Sequence, residues 1–160
     1  MIIACTHDLA IRASLSLTSA AAWGTSILLG ADDTQAAAEA QLTQSLGNIN
    51  PGEPLCVAAH QNADGFGDAD GEWTWSAAEF AKILQAGLPK TYNSPVLIYA
   101  VSHDTASFAN DLTSALRTAG ALCGVKVYGF KAAVTVETTP YPNPGQLAND
   151  QDLNGTVVQC

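Results

Sequence analysis

The sequence predicts an α/β fold, a single-domain three-layer αβα sandwich with a mainly parallel sheet. Two apolar runs, residues 55–59 and 96–101, carry no charge and are bounded by turn residues, which is typical of strands buried on both faces. Helical patterns alternate with the strands along the chain, and this alternation implies right-handed crossovers between parallel neighbours. A length of 160 residues suits one domain with its own core.

The first part of the chain predicts two strands around one helix. Residues 1–6 are mostly apolar and predict a strand that runs into His7 and Asp8. Residues 9–23 are rich in Ser, Thr and Ala and favour a helix over part of their length. The apolar run 26–29 stands directly before a glycine and predicts the second strand.

Three later helices have clearer signals. Asp32 is expected to cap the first of them, with Gln35 returning the bond, and residues 76–79 form a capping box before the second. The apolar positions of the inner faces are Ala38, Leu42 and Leu46 in the first helix, Phe80, Ile83, Leu84 and Leu88 in the second, and Phe108, Leu112, Ala115, Leu116 and Ala119 in the third.

The last third of the chain predicts a strand, an edge strand and a tail. Residues 125–128 form the predicted strand, and residues 132–136 the edge strand. Prolines and asparagines beyond them predict an irregular segment. The domain is therefore expected to span residues 1–138, with residues 139–160 as a tail that packs on it or trails from it.

Charge and hydropathy exclude several classes of partner. The net charge of −9 disfavours nucleic acid and anionic membrane surfaces. No apolar run approaches the roughly 20 residues of a membrane span, and the start of the chain lacks the basic region of a signal peptide. A cytoplasmic location is expected, with export by a route without a cleaved signal left open.

The four cysteines are widely spaced, without a C-x-x-C pair or a histidine at metal-site spacing. They are expected to be small buried hydrophobic residues rather than a disulfide framework. No metal and no cofactor are predicted. The four are Cys5, Cys56, Cys123 and Cys160.

Polar clusters follow both central strands. If these strands are parallel neighbours, their ends lie about 5 Å apart. Ser102 could then act as a nucleophile with His60 as its base, and Asp8 or Asp104 could orient the imidazole. His7 and Asp8 end a third strand and are expected at the same edge. Alternatively, the histidines are only polar caps on apolar strands. The two clusters are His60-Gln61-Asn62 and Ser102-His103-Asp104.

An acidic loop follows His60, and it ends beside Trp73 and Trp75. Asp70-Gly71 is similar to part of a calcium loop, but the complete D-x-D-x-D-G spacing is absent, so a solvated loop that shapes a pocket or contacts a basic partner is expected. At least one tryptophan is expected in the core, whereas an exposed one would indicate a binding surface. The candidate binding residues are Gln61, Asn62, Asp64, Asp68, Asp70, Trp73, Asp104, His7 and Asp8.

Five consecutive elements carry a family resemblance. They are a strand ending in His with a Gly-rich loop (55–71), a helix (75–84), a strand ending in polar residues (96–103), a helix with the pattern Phe108-Ala109-x-x-Leu112, and a strand (125–129). This layout resembles the caspase-like fold of the gingipain–clostripain–caspase group, above all bacterial CHAT domains and the autoprocessing protease domains of large toxins. The resemblance implies that His60 matches the catalytic histidine, which in the family assists a Cys thiolate that attacks a peptide carbonyl.

The chain departs from this family at the nucleophile. Ser102 or His103 stands where the family has Cys, and Gln61 follows His60 where the family usually has Gly. Because a thiol is a far better nucleophile than a hydroxyl, the resemblance implies a catalytically degenerate domain that acts in recognition or regulation, with a protein or peptide partner. The alternatives are a peptidase or esterase that uses Ser102 with His60, and a small-ligand-binding α/β domain. No oligomeric state is implied.

Overall fold

A computed structural model describes residues 1–30, 34–62, 65–68, 70 and 72–160, and in this part of the chain a mainly parallel mixed sheet lies between helices. This is the α/β sandwich that the sequence predicts. The strands are β1 (Ile2–Ala4), β2 (Ser26–Leu28), β3 (Leu55–Asn62), β4 (Gly65–Gly67), β5 (Thr74–Trp75), β6 (Val96–Val101), β7 (Lys126–Phe130) and β8 (Leu153–Val157). The helices are α1 (Leu9–Ser14), α2 (Thr18–Ala21), α3 (Gln35–Leu46), α4 (Ala77–Gly87), α5 (Ala106–Thr118) and a 3₁₀ helix (Pro144–Asn149).

The main path of the sheet runs β2-β1-β3-β6-β7-β8. Its first five strands are parallel, and β8 is antiparallel to β7. The pairing of β3 with β6 places His60 opposite Val101. The carboxyl ends of β1, β3 and β6 therefore meet at one edge of the sheet, where ligands collect in open α/β folds.

Two cores cover the two faces of the sheet. The α3 core joins the inner faces of α3, α4 and α5 to strand residues such as Val57 and Ile98. The α1 core joins α1, α2 and the 3₁₀ helix to the opposite side chains, such as Cys56 and Tyr99. Successive residues of a strand thus enter different cores, as expected for strands buried on both faces.

The capping residue of α4 is the predicted one, whereas that of α3 differs from the prediction. The capping box of α4 is present, with the Ser76 hydroxyl and the Glu79 carboxylate each accepting a backbone bond from the other residue. Helix α3 instead begins after Thr34, whose hydroxyl accepts the Ala37 amide at 3.1 Å. Thr34 stands directly before the first helical residue and satisfies the free amide. The predicted cap, Asp32, lies outside the described residues.

The loop after His60 contains a hairpin that the sequence analysis does not predict. Strand β3 continues past residue 59 to Asn62 and turns into β4, which pairs antiparallel with β3 and with β5. A Cβ at Gly67 would lie 2.4 Å from the carbonyl oxygen of Trp73, so this close pairing requires glycine. The pairing depends on backbone approach, which hydrophobic alternation does not reveal.

The predicted edge strand at residues 132–136 is wrong. In that segment Val134 forms an isolated bridge to Val101, and residues 132–136 contain no strand. The edge position beyond β7 is taken by β8, which lies in the predicted irregular tail. Its sequence, Leu-Asn-Gly-Thr-Val, lacks a strong strand pattern, and it is defined by five residue pairs with β7.

The prediction for the cysteines holds for two of the four. Cys5 and Cys56 are reduced and fully buried in strand-associated positions. Cys123 and Cys160 instead form a disulfide, with Cα atoms 5.5 Å apart. Their separation of 37 residues gave no spacing signal, because the return of the chain through β8 brings them together.

No helix among the described residues is long and apolar enough to cross a membrane.

Candidate functional site

His60 and Asp8 form a hydrogen-bonded pair at the carboxyl edge of the sheet. The Nε2 atom of His60 lies 2.9 Å from Oδ2 of Asp8, and both side chains are largely shielded from solvent. The other carboxylate oxygen of Asp8 accepts the Ile11 amide at 2.9 Å, so Asp8 also caps α1. Asp8, which follows β1, thus orients the imidazole on the neighbouring strand β3, and it is one of the two orienting residues that the serine-nucleophile hypothesis offers.

The same contacts set the charge of Asp8. Partial burial acts to raise the pKa of Asp8, but the hydrogen bonds from Ile11 and His60 outweigh it and lower the pKa below its ordinary value. The backbone amide of Asp8 also donates to the Thr6 hydroxyl at 3.1 Å. Asp8 is therefore held as a carboxylate in a fixed position against His60.

Ser102 follows β6 in an unusual backbone conformation. Its φ is +86°, which is rare for a residue other than glycine, and its amide donates to the carbonyl of Val134 at 3.3 Å. The side chain is exposed, as are His103 and Asp104 beside it. Among the described residues no hydrogen bond joins the Ser102 hydroxyl to His60, so the catalytic pairing of these two residues stays a prediction.

Gln61 and Asn62 follow His60 in β3 and pair with β4, so they form part of the β3–β4 hairpin. The side-chain oxygen of Asn62 accepts the Gly65 amide at 3.0 Å and closes the turn. Gln61 is half-buried, and its Oε1 atom is buried with no hydrogen-bond partner within the described ranges. Asp64, also predicted as a binding residue, lies outside the described residues.

His7 contacts a different set of groups from Asp8. Its Nε2 atom lies 2.7 Å from the carbonyl oxygen of Gly30, and its ring packs edge-on against Trp73 with centroids 4.5 Å apart. The other ring nitrogen, Nδ1, faces two carboxylates. It lies 3.4 Å from Oε2 of Glu72 and 3.9 Å from Oδ2 of Asp68. These three side chains offer ligand atoms within 4.8 Å of one another, close enough to share a metal ion.

The prediction of a solvated acidic loop is wrong for Asp68. This residue is only 2% exposed. Its Oδ1 atom accepts the Thr6 hydroxyl at 2.9 Å and the His7 amide at 2.7 Å, whereas Oδ2 is buried and finds no hydrogen-bond partner in the described part of the chain. Asp70 and Glu72 are exposed. The β4–β5 hairpin folds Asp68 back onto the end of β1, which loop composition alone does not predict.

Trp73 and Trp75 belong to the α3 core, so the predicted core position is confirmed for both. Trp73 is not an exposed recognition residue. Its indole nitrogen donates to the Cys5 carbonyl at 3.1 Å, and its ring supports His7. Its role in the site is to position the end of β1.

Neither reduced cysteine is available for catalysis. Burial raises the pKa of both thiols, Cys5 and Cys56, well above the ordinary value, so the thiolate form is strongly disfavoured. Cys123 and Cys160 are joined to each other. His60 consequently has no thiolate to activate.

Comparisons of the chain with models of protein families, with curated proteins and with solved structures give no match. The function is therefore inferred from the geometry of the site.

Proposed function

We propose that this chain is a catalytically degenerate caspase-like domain that recognises a protein or peptide partner. The observation that carries the proposal is the absence of an accessible thiol beside His60. The residue after β6 is Ser102, the thiols of Cys5 and Cys56 are buried, and Cys123 is held in a disulfide. A cysteine-protease mechanism needs a thiolate that the histidine can reach.

The succession of elements supports the caspase-like part of the proposal. Strand β3 bears His60 and leads through a glycine-rich hairpin into α4, and β6, α5 and β7 follow in the order that the resemblance implies. Strands β3 and β6 are hydrogen-bonded neighbours, so the histidine and the position of the lost nucleophile share one edge of the sheet. This order is compatible with a domain that kept the fold and lost the chemistry.

The charge of the edge favours a basic partner. Asp70, Glu72 and Asp104 are exposed near the strand ends, in a chain of net charge −9. Acidic surface groups attract Lys- and Arg-containing segments and repel phosphate backbones, and their effect weakens with salt. We therefore favour a basic peptide segment over nucleic acid or an anionic membrane surface.

Peptide binding tests this part of the proposal. Fluorescence anisotropy with a labelled Lys/Arg-rich peptide, in the presence of a chelator, should show binding that weakens as salt is added. The Asp70→Asn/Asp104→Asn double variant should bind about 5–10-fold more weakly. The Glu39→Gln/Asp111→Asn variant changes the net charge equally at exposed helical positions and should bind like the wild type. Equal losses in both variants would contradict a specific acidic edge.

A serine hydrolase is the second candidate, and two observations favour it. The Asp8–His60 hydrogen bond is the orienting half of a catalytic triad. The positive φ of Ser102 is backbone strain of the kind that clusters at active sites. In this mechanism the Ser102 oxygen attacks a peptide or ester carbonyl while His60 accepts its proton and later transfers that proton to the leaving group.

Labelling with a fluorophosphonate, read by intact mass, separates the two candidates. The degenerate domain gives no adduct, because no hydroxyl is activated. An active serine gives one adduct, which disappears in both His60→Ala and Ser102→Ala and persists in Ser107→Ala, an exposed serine in the next helix. A single adduct with this pattern would overturn the proposal of a degenerate domain.

The Cys123–Cys160 disulfide also bears on location. Disulfides persist mainly in oxidising compartments and are uncommon in the cytosol. The cytoplasmic location expected from the start of the sequence stays a prediction, and the disulfide favours an oxidising environment instead.

A further inference from the structure

The three side chains of His7, Asp68 and Glu72 converge at the carboxyl end of β1, apart from the His60–Asp8 pair. We propose that they bind one divalent transition-metal ion, with Zn²⁺ as the preferred ion. The Nδ1 atom of His7 and one oxygen from each carboxylate are the ligand atoms. The proposal shares Glu72 with the acidic edge of the recognition proposal, but zinc binding has its own measurement, so the failure of one proposal is distinguishable from the failure of the other.

The hydrogen bond to Gly30 fixes which nitrogen of His7 is available. A carbonyl oxygen can only accept, so Nε2 carries the proton in its 2.7 Å contact with Gly30. In the neutral imidazole this leaves the lone pair on Nδ1, the atom that faces both carboxylates. Metal-ligating histidines commonly donate their second nitrogen to a backbone carbonyl in this way, which orients the ring and raises its basicity.

Asp68 provides the second, independent observation. Its side chain is buried, and Oδ1 is fully engaged by the Thr6 hydroxyl and the His7 amide. Oδ2 has no hydrogen-bond partner among the described residues and lies 3.9 Å from Nδ1 of His7, too far for a hydrogen bond. An unpartnered buried carboxylate oxygen is unfavourable. A cation between Oδ2 and Nδ1 would satisfy it.

The separations between ligand atoms fit a small coordination sphere. Metal–ligand distances of about 2.0–2.2 Å at tetrahedral angles place two ligand atoms about 3.4 Å apart. The Nδ1 atom of His7 is 3.4 Å from Glu72 and 3.9 Å from Asp68, and all three ligand atoms lie within 4.8 Å of one another, so a movement of the exposed Glu72 side chain can complete the geometry. Three protein ligands leave a fourth position for water, as in open zinc sites.

The donor set selects the class of ion. Calcium and magnesium prefer oxygen ligands and take six or more of them, whereas imidazole suits zinc and its neighbours in the first transition row. Glu72 has 42% of its side chain exposed, so an ion can enter from solvent and the glutamate can close on it. Thr6, Gly30 and Trp73 hold the two inner ligands in place.

Zinc binding by the full chain, freed of metal with a chelator, tests the proposal. Titration against a competing chromophoric chelator should show that each wild-type chain binds one Zn²⁺. The affinity for this ion should be more than about hundredfold lower in Glu72→Gln. This variant is chosen because Glu72 is exposed and its change should leave the fold intact. Glu39→Gln removes an exposed carboxylate of α3, outside both proposed sites, and should keep the wild-type affinity. Equal affinity in Glu72→Gln and the wild type would overturn the proposal.

Two further readouts report on the fold and on His7 directly. Zinc at about a hundredfold excess over the dissociation constant should raise the Tm of the wild type by about 5–10 °C and leave that of Glu72→Gln nearly unchanged. In long-range ¹H–¹⁵N spectra, zinc should shift the Nδ1 resonance of His7. No bound zinc at millimolar concentration, or shifts confined to His60 and His103, would refute the site.

Discussion

At the scale of single residues, two neighbours at the end of β1 serve two different sites. Asp8 pairs with His60. Because side chains alternate along β3, His60 lies on the same face of the sheet as Ala58, which belongs to the α1 core. His7 packs on Trp73, a member of the α3 core. A one-residue shift at the end of this strand would exchange their surroundings, so the register of β1 controls both sites.

We expect Asp8→Asn to weaken the fold in a pH-dependent way. The lowered pKa of Asp8 means that its carboxylate stabilises the folded state above the ordinary value of 3.8, and that this contribution is lost as the pH falls through the lower folded value. Asn preserves the helix cap, so the loss at pH 7 should be about 1 kcal/mol, mainly from the bond to His60. Urea unfolding at several pH values measures it.

A double-mutant cycle identifies the partner. If His60 is responsible, Asp8→Asn and His60→Gln together should destabilise the protein by less than the sum of the two single changes. Strict additivity would show that the loss in Asp8→Asn does not come from the contact with His60, and would contradict this account.

Gly30→Ala should disturb the surroundings of His7. Gly30 has a φ of +92°, and an added Cβ would lie 2.7 Å from the Trp73 ring and 2.9 Å from Nε2 of His7. Strain and overpacking together should lower the free energy of unfolding by about 1–3 kcal/mol. Gly52→Ala is the control, because a Cβ there meets nothing within 4 Å and its effect should stay within about 0.5 kcal/mol. Equal effects of the two changes, measured by urea unfolding, would contradict this account.

Of the contacts Asp8–His60 and His7–Asp68, only the first could be predicted from the sequence. The contact of Asp8 with His60 follows from two strand ends at one edge of a parallel sheet, and it was among the predicted arrangements. The contact of His7 with Asp68 was not predicted, because it depends on a hairpin that turns Asp68 inward. From composition alone, an aspartate in such a loop is expected at the surface. That Asp68 is buried instead follows only from the tertiary structure.

At the scale of elements, the predictions succeed where the signal is local. The capping box stands at the start of α4, the helix that it predicts. The uncharged runs that predict β3 and β6 lie within those strands. Strand β5 is defined by its pairing with β4 and strand β8 by its pairing with the more distant β7, and their own residues carry little alternation. Elements stabilised by tertiary pairing rather than by propensity are the ones that sequence reasoning misses.

Helix α4 offers a test of local stabilisation. Ser76→Ala removes the hydroxyl that accepts the Glu79 amide, and the free energy of unfolding should fall by about 1 kcal/mol. Ser114→Ala is the matched control within α5, where the serine is exposed and bonds back to Asn110. Because alanine is the better helix former there, this change should raise stability by up to about 0.5 kcal/mol. Opposite signs in denaturant unfolding support the cap, and equal signs would contradict it.

At the scale of the whole molecule, the disulfide ties the end of the chain to the loop between α5 and β7. It closes a segment of 37 residues that contains β7 and β8, the last two strands of the sheet. The antiparallel edge strand is thereby held against β7 at one end by a covalent link. Sequence spacing could not indicate the bond, since the pairing depends on the path of a segment predicted to be irregular.

Thiol counting tests this arrangement. Without reductant, a thiol reagent should find almost no reactive group in the native protein, two in denaturant, and four after reduction. The Cys123→Ser/Cys160→Ser variant should lose about 2–4 kcal/mol of stability through the greater freedom of its unfolded chain. Four thiols in denaturant without reductant would show that the bond is absent in solution.

The placement of the three tryptophans gives each face of the sheet its own fluorophore. Trp23 is buried in the α1 core, whereas Trp73 and Trp75 are buried in the α3 core. Chains that keep only Trp23 or only Trp73 would therefore emit from opposite layers of the same sheet. Coincident emission changes during unfolding would mark the sandwich as one cooperative unit, with the central strands transmitting the loss of one layer to the other.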